Sequence, residues 1–226
     1  VEKSPTDRFL STDRVLTVFH DIIGYKRQNN VAVRESLLQT AKMVGRESEL
    51  QSLDQALKMT LAEQGSTWLI GGEAGVGKSR LVDELRIRAL VRGTLVVRGQ
   101  TITEASAPYQ LWRDVISRLI LEVKLDPLEA SVLKPVVDNI ERLTNAEHVP
   151  DAPEIGAVAS YNRLLTTISQ ILTRINRPLL IILEDIHWAR ESLNLFRQII
   201  PLTIKNPIMI VSTYRSEEHP DLPRQL

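Results

Sequence analysis

The chain of 226 residues contains no cysteine at all. This absence excludes disulfide bridges, thiolate catalysis and cysteine–zinc sites, and it fits a protein of the reducing cytoplasm. Charge of one sign is not in excess either, because 28 Lys and Arg residues balance 28 Asp and Glu residues. We therefore expect no direct binding of nucleic acid, which requires a basic face, although a local patch can exist at zero net charge.

Long apolar runs are also missing. No segment approaches the ~18 apolar residues of a membrane span, and the N-terminus has no signal-peptide pattern. We therefore expect a cytoplasmic protein without a membrane partner. Hydrophobic residues still make up 43% of the chain and charged residues 25%, which is typical of a folded globular protein. The first residue is Val1 rather than methionine, which indicates a piece of something longer.

Strand and helix patterns alternate through most of the chain. Apolar strands are predicted at 67–71, 94–98, 179–183 and 207–213, and helices at about 47–63, 109–123, 128–143, 161–175 and 191–200. A further helix is predicted to begin near Lys78, with Leu81, Val82 and Leu85 on its inner face. The run at 179–183 has no polar alternation, which favours a strand buried on both faces of a parallel sheet. The alternation predicts an α/β fold with three layers, α/β/α, around a mostly parallel sheet.

The N-terminal part follows a different pattern. Residues 1–30 predict one amphipathic helix, whose apolar residues from Val15 to Ile23 share a face and which Gly24 ends. Residues 31–43 are predicted to be a linker, and residues 44–226 the core domain. The chain ends soon after the fourth predicted strand, so we expect the core to be truncated at its C-terminus.

The clearest motif lies between the first predicted strand and the helix after it. Positions 72–79 read GEAGVGKS and match G-x-x-x-x-G-K-[ST], the phosphate-binding loop. Glycines let successive backbone amides point at one centre, and the following helix adds its positive end. Lys78 is predicted to neutralise the β- and γ-phosphates, and the Ser79 hydroxyl to bind Mg²⁺. The predicted nucleotide-binding residues are Gly72, Glu73, Ala74, Gly75, Val76, Gly77, Lys78, Ser79 and Arg80.

Two other interpretations of this loop are weaker. One is a glycine-rich structural turn with an incidental lysine. The other is a dinucleotide-binding loop, which fails because no G-x-G-x-x-G spacing opens the helix and no suitable acidic residue closes the next strand. The loop therefore predicts a nucleoside triphosphate site.

Two acidic residues follow the third predicted strand directly. Of Glu184 and Asp185, one carboxylate can hold Mg²⁺ and the other can orient or deprotonate the attacking water. The order in many ATPases is Asp then Glu, so the base candidate Asp185 reaches one methylene less here, which bears on the rate of hydrolysis more than on nucleotide binding. The alternative is a solvated strand end that caps the next helix.

The end of the fourth predicted strand supplies the last candidates. Thr213 and Arg215 stand where a polar side chain can sense the γ-phosphate, and the alternative is an ordinary strand end with a surface arginine. The predicted catalytic residues are thus Lys78, Glu184, Asp185, Thr213 and Arg215, and the predicted Mg²⁺ ligands are Ser79, Glu184 and Asp185.

Five boxes in order along the chain resemble one protein family. They are VGRESEL (44–50), GEAGVGKSRLVDEL (72–85), APYQLW (107–112), LLIILEDIHWA (179–189) and STYRSEE (212–218). This set is similar to the AAA-type ATPase module of large bacterial signalling proteins, the signal-transduction ATPase group. The resemblance implies a P-loop ATPase that binds ATP and Mg²⁺, turns over slowly and couples its nucleotide state to other domains of the parent protein. It also allows a homo-oligomer in the ATP state.

The resemblance assigns further residues. Val44, Gly45 and Arg46 would line the adenine side, whereas His187 and Trp188 are better explained as packing of the turn after the third strand. The family has an acidic residue where this chain has Arg190. That departure concerns the turn and not the phosphate site.

Residues 1–30 resemble, more weakly, the last helices of a bacterial serine/threonine protein kinase, and the alternative is an unrelated helical linker. No kinase catalytic motif is present, so protein phosphorylation is not expected of this chain. A scaffold that binds ATP with little turnover is the main competing function. A GTPase is disfavoured because the motif N-K-x-D is missing, and a DNA-loading ATPase gets no support from the neutral charge.

Overall fold

The computed structural model describes residues 45–101, 109–188 and 192–226. The predicted N-terminal helix, the linker and Val44 lie outside these residues, as does Arg190. The elements in chain order are α1 (Glu47–Leu61), β1 (Ser66–Gly72), α2 (Lys78–Val91), β2 (Leu95–Gln100), α3 (Gln110–Leu119), α4 (Pro127–Leu133), α5 (Ile140–Thr144), α6 (Ala157–Thr173), β3 (Leu179–Glu184), a 3₁₀ turn (Ile186–Trp188), α7 (Ser192–Thr203), β4 (Ile208–Arg215) and α8 (Leu222–Gln225).

The four strands form one sheet in the order β1–β4–β3–β2, and every pair is parallel. Because the strands are parallel, all four carboxyl ends lie at one edge of the sheet. In the register Gly72 is opposite Arg215 and Leu183 is opposite Ser212. This arrangement brings the loops after β1, β3 and β4 to the same edge, where open α/β sheets bind their ligands.

Helices cover both faces of the sheet and give two hydrophobic cores. Alternate residues of β3 divide between them, because successive side chains of a strand point to opposite faces. The core under α1 and α2 contains Leu50, Leu53, Ala56, Leu57, Leu81, Val82, Leu85, Ala89, Leu180, Ile182, Met209 and Val211. The larger core, under α3 to α7, includes Trp112, Ile116, Ile168, Leu179, Ile181, Leu183, Phe196 and Ile210. The predicted three-layer α/β/α fold with a parallel sheet is therefore confirmed.

One predicted helix is wrong. The pattern at 128–143 predicted a continuous helix, but the chain forms the two short helices α4 and α5. Pro135 has no N–H to donate to the carbonyl four residues earlier, and its ring crowds that carbonyl, so proline disfavours a continuous helix here. Asn139 then takes a left-handed conformation with φ of 55° before α5 begins. Helical periodicity alone did not reveal this break.

An acidic side chain ties α1 to α2. The carboxylate of Asp54, 10% exposed, contacts Arg92 at 2.7 Å, Lys58 at 3.2 Å and Arg88 at 3.5 Å. Burial acts to raise the pKa of Asp54, but hydrogen bonds and charges from Arg92 and Lys58 outweigh it, so the pKa lies below its usual value. These contacts hold α2, the helix that begins at the phosphate loop, against α1.

A close approach fixes α3 on β2. A Cβ atom added at Gly99 would overlap the backbone carbonyl oxygen of Leu111. Glycine at this strand position therefore lets the helix backbone lie directly on the sheet. Within the described part of the chain, no helix has the length and apolarity needed to cross a membrane.

Candidate functional site

The loop between β1 and α2 has the conformation that its glycines allow. Gly75 and Gly77 have φ values of 77° and 92°, in the left-handed region, and a Cβ at either position would meet no atom within 4 Å. Glycine is thus required there for backbone conformation and not for space. Gly77 precedes α2, and no side chain caps the helix. The first amides of α2 therefore have no side-chain cap at the end where the helix dipole is positive, as an anion site requires.

Lys78 folds back onto the loop. Its Nζ donates to the carbonyl oxygens of Gly72 at 2.6 Å and Glu73 at 2.8 Å. Among the described residues it forms no ion pair, so its charge is not neutralised by a protein carboxylate. An ammonium held only by backbone carbonyls is available to the β- and γ-phosphates of a nucleotide.

The carboxyl end of β3 adjoins that of β4, as the sequence predicted. Asp185 has a left-handed φ of 54°, and its backbone N–H donates to Oγ1 of Thr213 at 3.2 Å. Thr213 is 1% exposed. Non-glycine residues are uncommon in this conformation, and active sites are among the places where they occur. The structure therefore brings two of the predicted catalytic residues into direct contact.

Glu184 has a partner that sequence reasoning missed. Its side chain is 2% exposed, and Oε2 accepts from Nε of Arg98 at 2.5 Å and also contacts Nη2 of the same guanidinium. Arg98 further reaches Asp83, with Nη1 at 3.2 Å from Oδ1. The second carboxylate oxygen, Oε1, is buried and has no hydrogen-bond partner among the described residues. Glu184 is thus not the solvated strand end of the alternative interpretation.

Arg215 is the last residue of β4, and its side chain contacts residues outside the phosphate loop. Its Nη1 is 2.6 Å from Oε1 of Glu218, and its guanidinium lies 5.0 Å from the centre of the Trp188 ring. The hydrogen bond from Arg215 is the main reason that the pKa of Glu218 is lowered. Here Arg215 orders the turn after β4, and its role as a sensor of the γ-phosphate stays a prediction.

His187 packs inside the 3₁₀ turn, next to Trp188. The two ring centroids are 4.7 Å apart, and the His187 side chain is fully buried. Burial lowers the pKa of His187, against the opposing charges of Asp185 and Glu218, which favours the neutral ring at pH 7. The position agrees with the expectation that this pair packs the turn.

A second unforeseen residue touches the loop itself. Oε1 of Glu217 accepts the backbone N–H of Ala74 at 2.8 Å. Beside it, the N–H of Ser216 donates to the carbonyl oxygen of Gly72 at 3.4 Å. The turn after β4 is therefore attached to the phosphate loop at two points. Glu217 stands within the box STYRSEE, but nothing in that box indicates contact with a loop 143 residues away.

The residues predicted for the adenine side are described in part. Nη2 of Arg46 is 3.5 Å from the carbonyl oxygen of Val76, at the limit of a hydrogen bond, and Nη1 is 2.8 Å from Glu49. Gly45 donates its N–H to Glu47 at 3.0 Å. Arg46 thus lies beside the phosphate loop, and its assignment to the adenine side stays a prediction.

The donor set suits magnesium that is bound together with a nucleotide. Mg²⁺ binds through one or two protein oxygens plus phosphates and water, and not through a protein cage. Ser79 is exposed at the start of α2, and Glu184 has a buried oxygen without a partner. No group of three or more His, Asp or Glu side chains in the described ranges could hold a metal alone. Ser79, Glu184 and Asp185 therefore fit Mg²⁺ only when phosphate oxygens complete its coordination.

Comparison with protein families adds to this geometry. A family model described as "AAA ATPase domain" matches residues 42–211, which is most of the chain. The chain belongs to the AAA ATPase domain family. The match includes the phosphate loop, Glu184 and Asp185 at the end of β3, and most of the sheet.

Three similarities to individual proteins are more distant. An uncharacterized protein of Rhizobium meliloti (strain 1021) is 26% identical over 191 residues, which covers 76% of this chain but only 18% of the relative. A solved DNA replication initiation factor has a TM-score of 0.38 and 14% identity, over 81% of this chain and 42% of the other. Drosophila ORC bound to DNA has a TM-score of 0.45 and 13% identity, over 100% and 49%. Both TM-scores are below 0.5, so the assignment rests on the family match.

Proposed function

We propose that this AAA domain binds ATP with Mg²⁺ and hydrolyses it slowly, as the regulatory module of a larger signalling protein. The proposal rests on the conformation of the phosphate loop and on the contacts of Lys78 within it. Its helix is uncapped and Lys78 is held only by backbone carbonyls, 2.6 and 2.8 Å away. Both features are what a triphosphate would use.

The catalytic assignment follows from the edge of the sheet. Bound Mg²⁺ would neutralise phosphate charge and orient the γ-phosphate. Asp185 is the candidate that orients the attacking water, since its backbone is fixed by Thr213 at 3.2 Å. Glu184, held by Arg98, is the candidate that binds magnesium directly or through water.

Slow turnover is supported by two features of the acidic pair. Asp185 is shorter than a glutamate by one methylene group, so its carboxylate reaches less far toward an attacking water. Glu184 carries an ion pair with Arg98 that neutralises part of its charge. We therefore expect nucleotide binding with modest hydrolysis.

Nucleotide binding is tested by calorimetry with MgATP. The variant Lys78→Ala should weaken binding by at least about tenfold, because a charge-assisted contact contributes about 1.5–3 kcal/mol. Lys205→Ala is the matched control: Lys205 is exposed, and its position, just before β4, is at the opposite end of the strand from the site. An unchanged affinity in Lys78→Ala would refute the proposal. Competition of GTP and ATP for the site tests the choice of base.

The second candidate function is a scaffold that binds ATP but does not turn it over. The ion pair of Glu184 with Arg98 favours it, since a neutralised carboxylate is a poorer magnesium ligand. Phosphate release at saturating ATP separates the two functions, because the scaffold would release almost none.

The wider context remains our proposal. The family resemblance of the boxes, and a relative more than five times as long as the aligned part, support a multidomain parent. An upstream kinase-like segment in that parent is supported only by the weaker resemblance of residues 1–30. Its partners would be the other domains of that parent, with a homo-oligomer in the ATP state. Sedimentation of the chain with and without a slowly hydrolysed ATP analogue tests the oligomer.

A further inference from the structure

A carboxylate of the protein occupies part of its own anion site. Glu217 lies on the exposed turn after β4, where water could solvate it freely. Its Oε1 instead accepts the N–H of Ala74 at 2.8 Å, one of the amides of the phosphate loop. Two hydrogen bonds, this one and that of Ser216 with Gly72, attach the turn to the loop.

The location of this contact indicates which phosphate it would meet. Ala74 belongs to the part of the loop nearest the end of β4, since Gly72 and Arg215 are opposite each other in the sheet. Thr213 and Asp185, the residues placed for attack on the terminal phosphate, lie at the same edge. The charge of Lys78, which reaches for the β- and γ-phosphates, also acts on Glu217. The carboxylate thus lies on the γ side of the loop.

Carboxylates and phosphates compete for such a position. Both are anions that accept backbone N–H bonds, and both are attracted by the same lysine. Hydrogen bonds from its own backbone amide and from Ala74, together with Lys78, lower the pKa of Glu217, so it is charged at pH 7. A γ-phosphate on the loop would be repelled by this charge at short range.

From this geometry we propose that Glu217 is an internal competitor for the γ-phosphate, which lowers the affinity for ATP relative to ADP and is displaced when ATP binds. The inference rests on the proposed function, since it requires a nucleotide at the loop. It makes Glu217 a determinant of nucleotide preference, separate from the residues assigned to catalysis.

Displacement would be felt beyond the loop. Glu217 lies between Ser216 and Glu218, and Glu218 holds Arg215 at 2.6 Å. Arg215 in turn lies over Trp188 in the turn after β3. A movement of Glu217 therefore affects the contact of Glu218 with Arg215 and that of Arg215 with Trp188, which together join the ends of β3 and β4. ATP moves this turn, whereas ADP, without a γ-phosphate, leaves it attached to the loop.

Calorimetry with ATP and ADP on three proteins tests the proposal. Glu217→Gln removes the charge at constant size, and Glu147→Gln makes the same change at an exposed residue between α5 and α6. We expect Glu217→Gln to bind ATP about tenfold more tightly, with ADP affinity changed less than about twofold. The gain should shrink at 1 M salt, where the Debye length is about 3 Å. Glu147→Gln should match the wild type.

A second measurement follows the turn directly. The chain has no cysteine, so Pro220→Cys creates a single labelling site, at an exposed residue just after the turn. An environment-sensitive fluorophore there should respond to ATP and not to ADP, and Glu217→Gln should reduce the difference.

The outcomes are distinct. Equal ATP affinity in Glu217→Gln and wild type overturns the inference while leaving the proposed function intact. Equal affinity with lost hydrolysis also overturns it, because Glu217 would then be the base that activates water. If the wild type binds neither nucleotide, the proposed function fails and the inference fails with it.

Discussion

Replacing Arg98 by methionine would leave Glu184 buried without the guanidinium that now contacts it. The Glu184 side chain is 2% exposed and that of Arg98 is 39% exposed. Removing one partner of a fully buried ion pair costs about 3–5 kcal/mol, whereas a surface pair contributes about 0–1 kcal/mol. Because only the carboxylate is fully buried, we expect Arg98→Met to lower the free energy of unfolding by about 2–3 kcal/mol.

A variant of the second residue of the pair distinguishes loss of the ion pair from loss of side-chain packing. Glu184→Gln removes the charge that Arg98 neutralises, so the double variant Arg98→Met/Glu184→Gln no longer carries a buried unpaired charge. The free energy of unfolding of the double variant should therefore be about 2 kcal/mol higher than the sum of the two single-variant losses predicts. Asp83→Asn removes the exposed partner of the same arginine, 3.2 Å away, and should cost less than about 0.5 kcal/mol.

Urea unfolding followed by circular dichroism measures these values, without nucleotide and at constant denaturant slope. For a domain of this size the expected loss in Arg98→Met corresponds to a lower Tm by about 4–12 °C. If the losses of the two single variants sum to the loss of the double variant within about 0.5 kcal/mol, the reasoning is refuted, because Arg98 would then not act through Glu184.

Three further predictions concern the support of the site. Asp54→Asn should cost about 1–2 kcal/mol at pH 7. Since the pKa of Asp54 is lowered, its contribution is complete above the unfolded value of about 3.9 and is lost as the pH falls through the folded value; in urea unfolding, the difference between wild type and Asp54→Asn should be smaller at pH 3 than at pH 7. Gly99→Ala should cost at least about 2 kcal/mol in thermal melts, because its Cβ overlaps the α3 backbone; an unchanged Tm would contradict this. Thr213→Val removes an acceptor at constant size and should lower kcat about tenfold with ATP affinity within about twofold; equal loss of binding would place Thr213 in nucleotide binding instead.

The predictions from sequence succeeded where a feature is local. The loop at 72–79 was identifiable because glycine, lysine and serine at fixed spacing fulfil one requirement within eight contiguous residues. The buried strand β3 was identifiable because an unbroken apolar run suits a strand covered on both faces. Helical periodicity failed at 128–143, where Pro135 interrupts the hydrogen bonds that an apolar stripe does not report.

The sequence by itself determined the chemistry of the site, since the residue types that bind phosphate and magnesium are encoded in short segments. Only the tertiary structure decided what those groups contact in the ligand-free chain. Arg98 reaches Glu184 because β2 lies beside β3, and Glu217 reaches Ala74 because β4 lies beside β1. Contacts 86 and 143 residues apart therefore depend on the whole fold and leave no signal in any one segment.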